Sequence, residues 1–243
     1  MKFKAVIVMT LFASQAIFAG ANLDWGYSGQ QAPTHWAEIN PKYAACSGLN
    51  QSPINIDQTV DAKLPPLKFN YSTSSKSIIN NARTVQINFN EGNFLSLDHK
   101  QFELKQFHLH SPSENLLHGQ SYPMEMHLVH ASKDGELTVV AVMFKEGQEN
   151  KKLKQLWQQL PKTAGDVTAL KQTDLASAFL PKTLDYYRFN GSLTTPPCSE
   201  GVRWIVLKEI QQASPEQIKA FSSLMEHPNN RPVQAQNARL VLE

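Results

Sequence analysis

The chain has 243 residues, 41% of them hydrophobic and 18% charged, with a net charge of +2. Those values describe a globular protein able to bury a real core, long enough for one large domain or two small ones. So small a charge gives no electrostatic reason for a nucleic-acid partner, and without heptads or a repeat period the chain is neither a coiled coil nor a solenoid.

The first segment reads as a targeting signal rather than part of the fold. "MKFK" is basic, "AVIVMTLFASQAIF" is apolar, and Ala19, Gly20 and Ala21 offer small residues for cleavage. This pattern predicts a signal peptide over 1–21 and a mature chain over 22–243, periplasmic or secreted. The alternative, an N-terminal membrane anchor, needs about 20 apolar residues, more than this run supplies. The mature chain has no other segment that could span a bilayer. Export bears on the two cysteines, Cys46 and Cys198. In an oxidising compartment an even count suggests a disulfide, which over so long a loop could stabilise by roughly 4–5 kcal/mol. Two buried free thiols are the alternative.

Further along, strand patterns dominate. "NYSTSSKS" reads as a surface turn. "RTVQINFN" alternates, with Val85, Ile87 and Phe89 on one face and Thr84, Gln86 and Asn88 on the other. "QFELKQFHLH" and "YPMEMHLVHA" are strands too. The near-continuous apolar run "LTVVAVMF" predicts a strand buried on both faces, "VRWIVL" a further short buried strand, and "KDG" a tight hairpin turn. Two helices are expected. "NKKLKQLWQQLP" spaces Leu153, Leu156, Trp157 and Leu160 helically and stops at Pro161. "SPEQIKAFSSLMEHP" has Ser214 as N-cap, Pro215 in the first turn and Gln217 where a capping box wants it. The pattern predicts a mainly β (α+β) fold: one domain on a large, twisted, mostly antiparallel sheet with short peripheral helices.

The histidines carry the chemistry. In "QFHLH", His108, His110 and Gln106 point to one side of a strand. In "EMHLVH", Glu125, His127 and Val129 share a face, and His130 lies on the other. If the two strands pair antiparallel, His127 completes a three-histidine set. Three neutral histidines with one position open is the pattern of a catalytic zinc site; a structural site would close the fourth position. Gln106 and Glu125 lie on the faces from which they could hold the rings' second nitrogens. His130 is structural by parity, and His35, His99, His118 and His227 are loop or surface residues.

The chain resembles the alpha-class carbonic anhydrases. The resemblance rests on "WGY", "QSPINI", "NNARTVQINF", "QFHLHSPSE", "EMHLVH", "GSLTTPPC", "WIVLKE" and "NNRPVQ", in the family's order over almost the whole mature chain. It implies reversible hydration of carbon dioxide to bicarbonate, with side esterase activity, by a monomer or homodimer. It implies a zinc ion on His108, His110 and His127. Thr194 would accept the proton of the zinc-bound hydroxide and pass its own to Glu114, and the Thr194 amide would face a substrate oxygen. Thr195 and an apolar wall of Val129, Val139, Leu193, Val202 and Trp204 would receive carbon dioxide, although Val139 and Val202 read equally well as strand core. Tyr27, Asn81, Arg83 and Gln86 fall in the family's proton-transfer region, and Cys46 and Cys198 match the disulfide of exported members.

Two positions depart from the family pattern. Arg83 stands where active members often carry a proton-shuttling histidine, and arginine does not titrate near neutrality. Proton loss to water alone is limited to roughly 10³ per second. Asn115 stands where histidine is commoner. Two other readings compete. A silent binding module on the same fold would be expected to lack a zinc histidine, and this chain keeps all three. A cupin would use Glu114 as a ligand, but its second motif is missing.

Overall fold

The computed structural model describes residues 25–172 and 175–243; the expected signal peptide lies outside them. Short helical turns and helix α1 (Trp36–Ile39) lead to the two-residue strand β1 (Asn55–Ile56). Then come β2 (Lys68–Tyr71), β3 (Ser75–Asn80), β4 (Val85–Phe89), β5 (Asn93–Leu97) and β6 (Lys100–His110). The short β7 (Leu116–Leu117) precedes β8 (Met124–Ser132) and β9 (Leu137–Glu146), helix α2 (Lys151–Trp157) and β10 (Val167–Ala169). Last are β11 (Tyr186–Ser192), β12 (Glu200–Leu207), β13 (Gln211–Ala213) and α3 (Pro215–Leu224).

One sheet holds all of these strands except β1 and β7. Its main path runs β10-β3-β4-β6-β8-β9-β12-β11. The long strand β6 serves two neighbours along one edge, β5 beside its first half and β4 beside its second. Most pairs are antiparallel, as expected, but β9 runs parallel to both β12 and β13. Lying between β8 and β12, β9 is buried from Thr138 to Phe144, which accounts for the unbroken apolar run of "LTVVAVMF". The expected hairpin joins β8 to β9, and Gly135 adopts the positive φ of +85° that favours glycine.

The alternation in the strands separates two cores. One face packs Ile87, Phe107, Leu109, Met126, Leu128 and Val140 against α2 and α3. The other packs Ile54, Ile56, Val139, Met143, Val202 and Trp204. Ser214 and Gln217 form the expected capping box on α3. α2 is shorter than its sequence pattern. After Trp157 the turn tightens, with the Gln159 amide donating to the Leu156 carbonyl. The residue before Pro161 is disfavoured in helical geometry. "NYSTSSKS" is also more than a turn: Asn70 and Tyr71 end β2, and Ser75 to Ser77 begin β3. Half-exposed strand ends built from serine and asparagine lack the apolar alternation that would mark them.

Candidate metal centre

β6 and β8 pair antiparallel with His108 directly opposite His127. The period of two therefore raises His108, His110 and His127 from one face. Their ring centroids lie 4.7 to 5.3 Å apart. One nitrogen from each lies within 4.8 Å of the others, and no carboxylate joins that group among the described residues.

Each ring has its other nitrogen committed. His108 Nδ1 donates to Gln106 Oε1 at 2.8 Å, and His127 Nε2 donates to Glu125 Oε1 at 2.8 Å. His110 Nδ1 donates to the Asn229 carbonyl at 2.7 Å. A neutral imidazole carries one proton, so Nε2 of His108 and His110 and Nδ1 of His127 are left as lone-pair donors. His110 Nε2 is buried with no hydrogen-bond partner. An orphaned buried polar atom is costly, and a cation is the partner that suits three convergent lone pairs.

Burial holds all three histidines below their ordinary pKa. Neighbouring histidines push His108 and His127 further down, while Asn229 and Glu125 oppose the shift at His110. The rings are neutral at pH 7, as metal ligands must be. The donor set fits zinc, which takes imidazole nitrogen readily and keeps a fourth position open in catalytic sites.

Glu114 is buried beside the triad. Its Oε1 accepts the Arg231 amide proton at 2.8 Å. Its Oε2 faces His110 Nε2 at 3.5 Å and His127 Nδ1 at 3.8 Å, with no donor at full hydrogen-bond geometry. Burial raises the Glu114 carboxyl well above its usual range; the Arg231 amide and the Thr194 hydroxyl pull it back. Thr194 is buried in the loop after β11. That loop is pinned by the Cys46–Cys198 disulfide and by the Cys198 amide donating to the Thr195 carbonyl at 2.9 Å. Just before it, a Cβ on Gly191 would meet Ser52 Oγ at 2.1 Å, so only glycine allows so close an approach.

Tyr27, Asn81, Arg83 and Gln86 all border a cavity of about 130 Å³ that reaches His108, His110 and Thr195. The Arg83 guanidinium lies 3.7 Å from the Trp25 ring centre and donates to the Trp25 carbonyl at 2.9 and 3.3 Å. Val129, Val139, Leu193, Val202 and Trp204 do not border this cavity. They pack together on the His127 side, with the Trp204 ring 4.9 Å from that histidine. Val139, Val202 and Trp204 are buried, while Val129 and Leu193 keep some exposed surface.

Sequence reasoning assigned no role to Asn229 or Arg231. Asn229 acts through its backbone carbonyl, which has no side-chain signature. Arg231 is buried, and its guanidinium donates to Gln51 Oε1, the Ser52 carbonyl and the Cys46 carbonyl, each at 2.8 Å. Burial lowers its pKa to about 10, leaving it charged at neutrality. Only their place in "NNRPVQ" pointed to them.

The family model described as eukaryotic-type carbonic anhydrase matches residues 31–243. A carbonic anhydrase of Pectobacterium atrosepticum is 46% identical over 243 residues, covering all of both chains. One of Neisseria gonorrhoeae is 44% identical over 241 residues, covering 98% of this chain and 95% of that one. Among solved structures, the alpha-carbonic anhydrase of Thermovibrio ammonificans with the inhibitor sulfanilamide superimposes with a TM-score of 0.88. It is 45% identical, over 90% of this chain and 98% of that one.

Proposed function

Because the chain belongs to the eukaryotic-type, or alpha, carbonic anhydrase family, we propose that it is a zinc enzyme that hydrates carbon dioxide reversibly to bicarbonate and a proton. The observation that carries the reading is the His108, His110 and His127 triad, with each ring's second nitrogen hydrogen-bonded and the remaining one turned toward the others. Zinc bound there would supply Lewis acidity, which lowers the pKa of water to about 7, and a positive charge, which favours the ionised form of the buried Glu114.

The protein's own groups direct the rest. With Glu114 ionised, the single Thr194 hydroxyl proton is committed to it, and the Thr194 oxygen can only accept from the nucleophile. That orders the nucleophile's lone pair toward the carbon of carbon dioxide. The Thr194 amide faces a substrate oxygen, with Thr195 beside it. Val129 and Leu193 offer apolar surface to an uncharged substrate, and Val139, Val202 and Trp204 back them from the core. Tyr27, Asn81 and Gln86 line the way out for the proton. Arg83, at the same mouth, holds the Trp25 segment and, staying protonated at neutral pH, relays no proton.

The same nucleophile would attack activated esters as a side activity. The disulfide and the N-terminal pattern over 1–21 support a periplasmic or secreted protein. Stopped-flow measurement of carbon dioxide hydration on zinc-loaded protein tests the proposal. The expected result is one zinc per chain and a turnover that rises with imidazole concentration. Protein that takes up no stoichiometric zinc and stays inactive would instead be a silent module on this fold.

A further inference from the structure

Glu125 receives four hydrogen bonds in a fully buried setting. Its Oε2 accepts the amide protons of Glu114 at 2.7 Å and Asn115 at 2.9 Å. Its Oε1 accepts His127 Nε2–H at 2.8 Å and Asn115 Nδ2–H at 2.8 Å. The Asn115 side chain thus shares one carboxylate oxygen with His127. Its own Oδ1 accepts the Ile54 amide proton at 3.2 Å. Asn115 and Ile54 have no exposed surface, and the next residues, Asn55 and Leu116, pair β1 with β7. Asn115 therefore ties the β1–β7 bridge to the carboxylate behind one proposed zinc ligand.

We propose that Asn115 is a positioning residue for zinc: it fixes the Glu125 oxygen that His127 also uses, and so holds the His127 ring with Nε2 protonated and Nδ1 bare. The inference rests on the zinc reading of the site and deepens it. A carboxylate side chain has several rotamers that could reach a neighbouring imidazole. The two backbone amides on Oε2 restrain one oxygen but leave the carboxylate free to pivot about it. The Asn115 amide restrains the other oxygen. An asparagine does this with a group that carries no charge, so orientation is set without placing a second ionisable group against Glu125.

The test substitutes Asn115 and measures two things. The first is zinc affinity by chelator competition. The second is the His127 ring tautomer in the metal-free protein by nitrogen NMR. Asn115→Leu removes the donor. It should raise the zinc dissociation constant about 10-fold or more, the scale of losses when a ligand's supporting partner is removed, and should mix the two His127 tautomers. Asn115→His, which keeps an N–H donor, should restore both to within a few-fold of the parent. If Asn115→Leu does not fold, Asn115→Ala removes the donor without adding bulk, and should weaken zinc in the same way. An unchanged zinc constant with one unchanged tautomer, alongside nothing but a lower melting temperature, would overturn the proposal and leave Asn115 a structural residue. A parent protein that binds zinc tightly yet hydrates no carbon dioxide would defeat the functional reading alone, because neither readout needs turnover.

Discussion

His127 and His130 lie three residues apart on β8, both buried, and burial pushes both below the ordinary histidine pKa. His130 faces the larger core, where its Nδ1 donates to the Leu128 carbonyl at 3.0 Å and its Nε2 accepts the Tyr71 hydroxyl at 2.7 Å. Both of its nitrogens are satisfied. His127 faces the triad, with Nε2 satisfied by Glu125 and Nδ1 3.8 Å from the nearest carboxylate oxygen, too far for a hydrogen bond. The same residue type, strand and burial thus give opposite chemistry. What makes a ligand is the nitrogen that folding leaves without a partner.

The most severe way to break this comparison is to delete each ring. His127→Ala should abolish stoichiometric zinc and hydration activity, as read by metal analysis and stopped flow. His130→Ala should keep one zinc per chain. Its cost should be stability, about 1–3 kcal/mol from the Tyr71 hydroxyl left buried without a partner, with a further loss from the cavity, measured by denaturant unfolding. If the His130 variant lost its zinc, the division of roles along β8 would fail.

Glu114→Gln sharpens the boundary between ligand and support. The expected variant keeps its zinc while kcat/KM falls about 10²-fold or more, because the Thr194 proton is no longer held by a carboxylate. Loss of zinc would instead make Glu114 a ligand.

The smallest effect separates the two faces by pH. The folded pKa of His130 is lowered to about 4, against about 6.5 in an unfolded chain. Between those values the unfolded state binds the proton and the folded state does not, so stability falls as pH drops from 6.5 to 4, by roughly 3 kcal/mol at most. His130→Leu should flatten the stability profile in that window. At Asp98, a hydrogen bond from Arg188 lowers the carboxyl pKa. Its contribution is present above the unfolded value of about 3.9 and is lost as pH falls through the lower folded value. Asp98→Asn should therefore change only the more acidic limb of the same profile.

Much of this was readable in the chain. The alternation of "QFHLH" and "EMHLVH" placed the three histidines on one face and His130 on the other, and the register of β6 with β8 does so. Gln106 and Glu125 were readable as ring partners because they share parity with the histidines. The partner of His110 was not, because a backbone carbonyl on a segment 119 residues away leaves no mark in the sequence. β11 and the short strands β2, β5 and β13 also escaped notice. β5 and β11 each pair with the strand that follows them, whereas β2 pairs with β5 and β13 with the more distant β9. Asn115 stood out only as a departure from the family; its two-sided hydrogen bonding needed Glu125 and Ile54 brought together by the fold.

The most direct test is anomalous diffraction at the zinc edge from crystals of the zinc-loaded protein. The account expects one peak about 2.0–2.1 Å from His108 Nε2, His110 Nε2 and His127 Nδ1, the usual zinc–imidazole distance, with Glu114 outside the coordination sphere. A peak ligated by a Glu114 oxygen, or by the opposite nitrogen of any of the three rings, would contradict it.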